Sequence, residues 1–151
     1  MKAYQHILVP TDGTPLSLKA AKHAASLAKD LKARVTAVYV IPPWTPPVTE
    51  ESTIMTTIAF TEEQYRKDME VVANKALGKV AVAVAGSKVK CETLSIGGEQ
   101  PWQGILKAAR TKKCDLIVMG SHGRGALGSL VLGSETAKVL SHSKTPVLVC
   151  R

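Results

Sequence analysis

Short, nearly continuous apolar runs alternate along this chain with longer stretches of helical periodicity. His6–Pro10, Val35–Ile41, Val89–Ile96, Asp115–Met119 and Val147–Cys150 each read as a buried strand. Between them, Pro15–Leu31 reads as a helix with Leu18, Ala21, Ala25 and Ala28 on one face. Pro15 in its first turn is favourable, because the N–H that proline lacks would have no intrahelical partner there. A long helix is expected from about Thr61 to Ala85, with Thr61-Glu-Glu-Gln64 as a capping box. Pro101–Thr111 and Glu135–Leu140 complete the helices. Pro42-Pro-Trp-Thr-Pro-Pro47 opens a polar connection that neither a sheet nor a helix accommodates, and it reads as an insertion loop.

Strands that alternate with helices and carry few polar residues predict a parallel sheet covered on both faces. The fold class is therefore α/β, as one doubly wound domain over residues 1–151. Right-handed crossovers leave few topologies, and a five-stranded order 3-2-1-4-5 is expected. In that order strands one and four are neighbours whose connections leave to opposite faces. Ligands of open α/β sheets bind in such a crevice, at the carboxyl ends of the strands. Asp12 lies just past strand one and Gly120 just past strand four, so two sequence-distant polar clusters converge there.

Composition narrows the class. A chain of 151 residues with 45% hydrophobic content can bury a core without disulfides or a structural metal. No apolar run approaches the roughly 18 residues of a membrane span, and strand-like sequence by Ile7 leaves no room for a secretory signal. Cys91, Cys114 and Cys150 are odd in number and isolated, which points to buried thiols in a reducing cytoplasm rather than to zinc ligands or disulfides.

The chemistry concentrates in Met119-Gly-Ser-His-Gly-Arg-Gly-Ala-Leu-Gly-Ser-Leu-Val-Leu-Gly-Ser134. Strand, glycine-rich loop and helix start together bind phosphate, because glycines turn backbone N–H groups inward and a helix N-terminus adds unpaired donors. Gly123-Arg-Gly125-Ala-Leu-Gly128 fits the dinucleotide pattern G-x-G-x-x-G, but nothing acidic follows Glu135 to take the ribose. Gly128 and Gly133 have P-loop spacing, yet Ser134 stands where the lysine should be. The remaining pattern is Gly120-x-x-Gly123, nine residues, then Gly133-Ser134.

That spacing resembles the nucleotide-binding signature of the universal stress protein family, in its ATP-binding branch. Ile7-Leu-Val-Pro-Thr-Asp12-Gly-Thr resembles the family's first strand and acidic turn, Val38-Tyr-Val-Ile-Pro42 its second strand, and Thr145-Pro-Val-Leu-Val149 its last. Thr14 stands where serine is commoner and keeps the hydroxyl. The resemblance implies an adenine nucleotide α-hydrolase-like fold and ATP as ligand. It also implies that backbone at Val40 recognises the adenine edge, with Pro10, Thr11 and Met119 lining the pocket. Backbone N–H groups of Gly120, Ser121, His122 and Gly123, and of Gly133 and Ser134, are expected to hold the phosphates. Arg124 or His122 would neutralise remaining charge. Asp12, an acceptor only, suits the ribose hydroxyls or a bound magnesium. Glu135 is a further candidate, although a first-turn acid on a helix is ordinarily exposed and structural.

No catalytic group is indicated, since His122 has no nucleophile elbow beside it. His6, His23 and His142 lack metal-ligand spacing. Trp44 and Trp102 read as packing under turns, and Asp115 as pairing with a turn or a lysine. A net charge of +8 raises nucleic-acid binding, but the cations are spread over helices and aromatics are only 4%, so nucleotide steering is favoured. The last strand should be an apolar sheet edge, which predicts a symmetric homodimer. The sequence thus reads as a cytoplasmic ATP-binding stress sensor or adaptor without rapid turnover. A slow ATPase or phosphotransferase, and an AMP or cyclic-nucleotide binder, are the alternatives.

Overall fold

The computed structural model describes residues 3–46, 55–122 and 131–151, and describes no side chains for 55–60. Five strands form one parallel sheet: β1 (His6–Pro10), β2 (Arg34–Ile41), β3 (Cys91–Gly97), β4 (Leu116–Gly120) and β5 (Val147–Cys150), in the order β3-β2-β1-β4-β5. Four helices connect them: α1 (Pro15–Leu31), α2 (Met55–Ala85), α3 (Pro101–Thr111) and α4 (Ser134–His142). The expected fold class and strand order are both observed.

Alternation along the central strands sends side chains to two apolar layers. Ile7, Val9, Val35, Ala37, Leu116 and Val118 pack under α1 and α2, against the alanine face of α1 and Ala73, Leu77, Val80 and Val84 of α2. Leu8, Val38, Ile117 and Met119 pack on the other face against Ile105, Ala108 and Ala109 of α3 and Val139 of α4. The alanines let α1 lie close to the sheet, and its buried stripe is Ser17, Ala20, Ala21, Ala24, Ala25 and Ala28, with Leu18 only partly covered. On the other face Gly104 allows the same approach, since a Cβ there would lie 2.6 Å from a Val40 methyl.

Two sequence expectations need correction. Helix α2 starts by Met55, so Thr61-Glu-Glu-Gln64 lies inside it and is not its capping box. Neither Gly nor Pro occurs between Met55 and Thr61, so nothing in that stretch terminates a helix. Strand β3 begins at Cys91 rather than Val89, because Lys88 takes a left-handed φ of 57° and the chain turns there before joining the sheet. The insertion loop is described only through residue 46, where Trp44 is partly buried; the remainder lies outside the described residues.

Candidate functional site

A proline opens the crevice between β1 and β4. Thr11 donates its N–H to Val38 O (2.9 Å), which sets the odd residues of β1 toward β2 and Pro10 toward β4. Pro10 has no N–H for the next rung, and the β1–β4 ladder stops at Leu8↔Ile117 while β1–β2 pairing runs on to Pro10↔Val38. Past that point β1 leads into α1 on one face, and β4 leads to α4 on the other. The resulting cavity of ≈ 690 Å³ lies at the carboxyl ends of the strands.

Residues of this crevice come from distant parts of the chain. Pro10, Thr11 and Asp12 line it beside Val40, Met119, Gly120 and His122, and Gly133, Ser134 and Glu135 close the α4 side. Every candidate named from sequence lines it except Ser121, which sits buried behind the wall, and Gly123 and Arg124, which lie outside the described residues. Sequence reasoning missed Ser17, Tyr39, Met69, Ile105 and Thr136, which also line it. Helical periodicity, and for Tyr39 the apolar run of β2, marks such residues only as parts of their elements.

The β1 turn is closed by side-chain hydrogen bonds. Thr11 is buried, its Oγ1 accepting from Gly13 N (3.2 Å) and meeting Ser17 Oγ at 3.1 Å. Asp12 Oδ1 accepts from Thr14 N (3.0 Å) and Thr14 Oγ1 (2.6 Å), and Gly13 supplies the φ of 81° that the turn requires. Thr14 then caps α1 by accepting from Ser17 N (3.3 Å). These bonds hold the Asp12 carboxylate at the mouth of the crevice.

Val40 supplies the opposite wall. In a parallel strand the N–H and C=O of one residue face the same neighbour, and alternate residues face alternate neighbours. Val38 O accepts from Thr11, and Ile41 O accepts from Gly98 N on the β3 side (3.1 Å). The N–H and C=O of Val40 therefore face the side β1 has vacated. One donor and one acceptor, spaced as on any strand, point into the crevice.

The phosphate side differs in part from expectation. Ser121 N–H donates to Cys150 O (2.7 Å), and Gly133 N–H donates to Ser121 O (2.8 Å), so neither is available to an anion. Instead, Gly133 brings the start of α4 against the β4 exit: a Cβ there would lie 2.8 Å from His122 Cα. The first intrahelical bond of α4 is Ala137 N to Gly133 O (2.9 Å), which leaves the N–H groups of Ser134, Glu135 and Thr136 as first-turn donors without an intrahelical acceptor. Thr136 Oγ1 donates to Gly120 O (3.0 Å) and fixes the helix end to β4. Ser121 Oγ lies 3.2 Å from His122 Nδ1 and orients that ring.

Glu135 has structural work. Its Oε2 accepts from Trp102 N (2.8 Å) and so caps α3, which has no side-chain cap of its own, while Oε1 pairs with Lys138 at 3.3 Å. Trp102 packs against the His142 ring, centroids 4.6 Å apart, and is not among the residues that line the crevice. Asp115 accepts from Gln5 N (2.8 Å) and His6 N (3.0 Å), which starts β1 at the far end of the sheet. His6 is buried there against Thr36, Nε2 to Oγ1 2.7 Å.

A parallel sheet of order 3-2-1-4-5, opened at its switch point beside a helix N-terminus, defines a class of nucleotide-binding α/β folds. The sequence matches the Universal stress protein family over residues 3–151, and the chain belongs to that family. It is 36% identical to universal stress protein MJ0531 of Methanocaldococcus jannaschii, covering 98% of this chain and 82% of that protein. Among solved structures it resembles that of hypothetical protein MJ0577 from the same organism, at 30% identity and TM-score 0.78, over 97% of this chain and 94% of that one. It also resembles a universal stress protein in complex with cAMP, at 25% identity and TM-score 0.66, covering 99% and 98% of the two chains. The fold is the adenine nucleotide α-hydrolase-like fold of these proteins.

Proposed function

We propose that this chain is a single nucleotide-binding domain that takes ATP in the β1–β4 crevice and works as a sensor or adaptor without rapid turnover. One observation carries the reading. The Val40 donor–acceptor pair and the first turn of α4 line the same cavity, one from the β2 side and one from the β4 side. Adenine presents an acceptor beside an amino donor, which complements a backbone N–H beside a C=O. Pro10, Met119 and Ile105 supply apolar contact for the ring, and Ser134, Glu135 and Thr136 N–H groups supply donors for phosphate. The cavity of ≈ 690 Å³ falls within the range of small-ligand sites, about 300–1,000 Å³.

Asp12 would hold the ribose hydroxyls or a magnesium ion, which would offset the repulsion between that carboxylate and the phosphates. The cAMP-bound relative makes a cyclic nucleotide the second reading. Titration calorimetry with ATP, AMP and cAMP, with and without magnesium, tests both: ATP is expected to bind most tightly and magnesium to strengthen it. Affinity for cAMP at least tenfold above ATP would transfer the proposal to the cyclic nucleotide. Multiple ATP turnovers per minute would establish the slow ATPase instead.

A homodimer through β5 belongs to the same proposal. β5 is a sheet edge, and its Leu148 is 40% exposed. Light scattering at micromolar concentration is expected to give a dimer mass. Among the described residues no helix is long and apolar enough to cross a membrane. Free Cys91, Cys114 and Cys150 fit a reducing compartment, and the cytoplasmic assignment rests on them. Cell fractionation tests it.

A further inference from the structure

The end of the sheet opposite the crevice carries a second concavity, of ≈ 420 Å³, where the C-terminal ends of α1 and α2 meet the starts of β2 and β3. Its lining holds Lys29, Lys32, Arg34, Lys88 and Lys90 and no carboxylate. All five cations are exposed, yet they converge on one depression whose floor is Ala28, Ala33 and Val89. Glu92 is paired with Lys112 and also acts on Arg34, so the charge left uncancelled is that of the four lysines.

Part of this charge suits the helix ends, since cations favour the negative pole of a helix. That does not explain Arg34 and Lys90, which flank the strands. At the two helix exits Lys32 and Lys88 both take a left-handed φ of 57°, as Lys113 (55°) does beyond α3 and away from the depression. Glycine is the unstrained residue at such positions and has no charge to offer. Here both places carry a lysine instead, and both lysines border the depression.

We propose that this basic depression binds a small oligophosphate anion. Four lysines act as rotatable point charges, a combination that meets several phosphate oxygens at once. Its volume falls in the small-ligand range, and the cations surround a concavity rather than forming the long stripe a duplex needs. The proposal is independent of the nucleotide crevice, which lies at the other rim of the sheet.

Amide chemical shifts of the full chain, followed while inorganic tripolyphosphate is added at about 150 mM salt, test it, since residue-resolved shifts separate this rim from the crevice. The expected result is saturating shifts at Ser87, Lys88 and Val89, with affinity at least tenfold above orthophosphate. Lys88→Gln/Lys90→Gln on one wall, and Lys29→Gln/Lys32→Gln on the other, should each weaken binding at least fivefold; all four side chains are exposed, so the fold tolerates both pairs. The proposal is overturned by shifts that do not saturate, by equal shifts with sulfate at matched ionic strength, or by binding that neither pair weakens. Tighter binding of random duplex DNA than of tripolyphosphate would also overturn it, in favour of a nucleic-acid surface.

Discussion

Replacing Gly133 tests the geometry of the crevice most sharply. A Cβ at this position would lie 2.8 Å from His122 Cα, 3.2 Å from His122 Cβ and 3.3 Å from Ser121 O. Carbon pairs are at ease at about 3.5–4.0 Å, so α4 and the β4 exit must separate by roughly 0.7 Å. The obstacle is mainly backbone, and Ser121 is pinned to Cys150 O, so no side-chain rotation relieves it. Overpacking of this kind costs about 1–3 kcal/mol. For a chain of this length about 2 kcal/mol corresponds to a Tm lower by roughly 4–8 °C. The same movement withdraws the α4 first turn from the cavity, so nucleotide affinity should fall more than about tenfold, a loss above ~1.4 kcal/mol. Gly133 is also the N-cap of α4, where alanine is poor and serine good. Gly133→Ser therefore separates the two effects, because it improves the cap while keeping the clash. Thermal denaturation and calorimetry of Gly133→Ser provide the readouts. Wild-type Tm with wild-type affinity would refute the close approach. Gly78→Ala is the control, since a Cβ there meets nothing within 4 Å, and a gain of about 0.5–1 kcal/mol is expected.

Other expectations follow from single contacts. Glu135→Ala removes the acceptor of Trp102 N and should lower stability by about 1 kcal/mol, roughly 2–4 °C in Tm, with less than threefold change in nucleotide affinity; a larger loss of affinity would make Glu135 a ligand group. Burial, and then the neighbouring Arg34, hold the His6 imidazole below its ordinary value. The unfolded chain therefore takes up that proton more readily. Stability from neutral His6 is present above about pH 6.5 and is lost as pH falls through the lower folded value; Tm against pH should show this, and His6→Gln should flatten it. Burial pushes the Cys114 thiol up to about 11, so about one in a thousand is thiolate at pH 8, and iodoacetamide should leave it unmodified in the folded protein while unfolding exposes it.

The strand order and most element bounds were legible because apolar runs and helical stripes differ in period, and β1, α1, α3 and β5 begin and end where those patterns do. The start of α2 was not legible. A capping signature at Thr61 has meaning only where the preceding residues cannot be helical, and Met55–Phe60 can. The site was legible in outline, since Asp12 and Gly120 are placed by the topology alone. Its hydrogen bonding was not. That Ser121 spends its N–H on Cys150 O depends on β5 running beside β4, and that Gly133 spends its own on Ser121 O depends on α4 returning to the β4 exit, contacts that local spacing does not carry. Pro10 held more information than a pocket lining, because its missing N–H ends the β1–β4 ladder. Gly104 inside a helix was a similar signal, of the close approach to Val40.

Crystals grown with ATP and magnesium test the central claim directly. The account predicts nucleotide density between β1 and β4, with the adenine edge on the N–H and C=O of Val40 and phosphate oxygens on the first turn of α4. Nucleotide bound elsewhere on the chain, or an empty crevice at millimolar ATP, would contradict it.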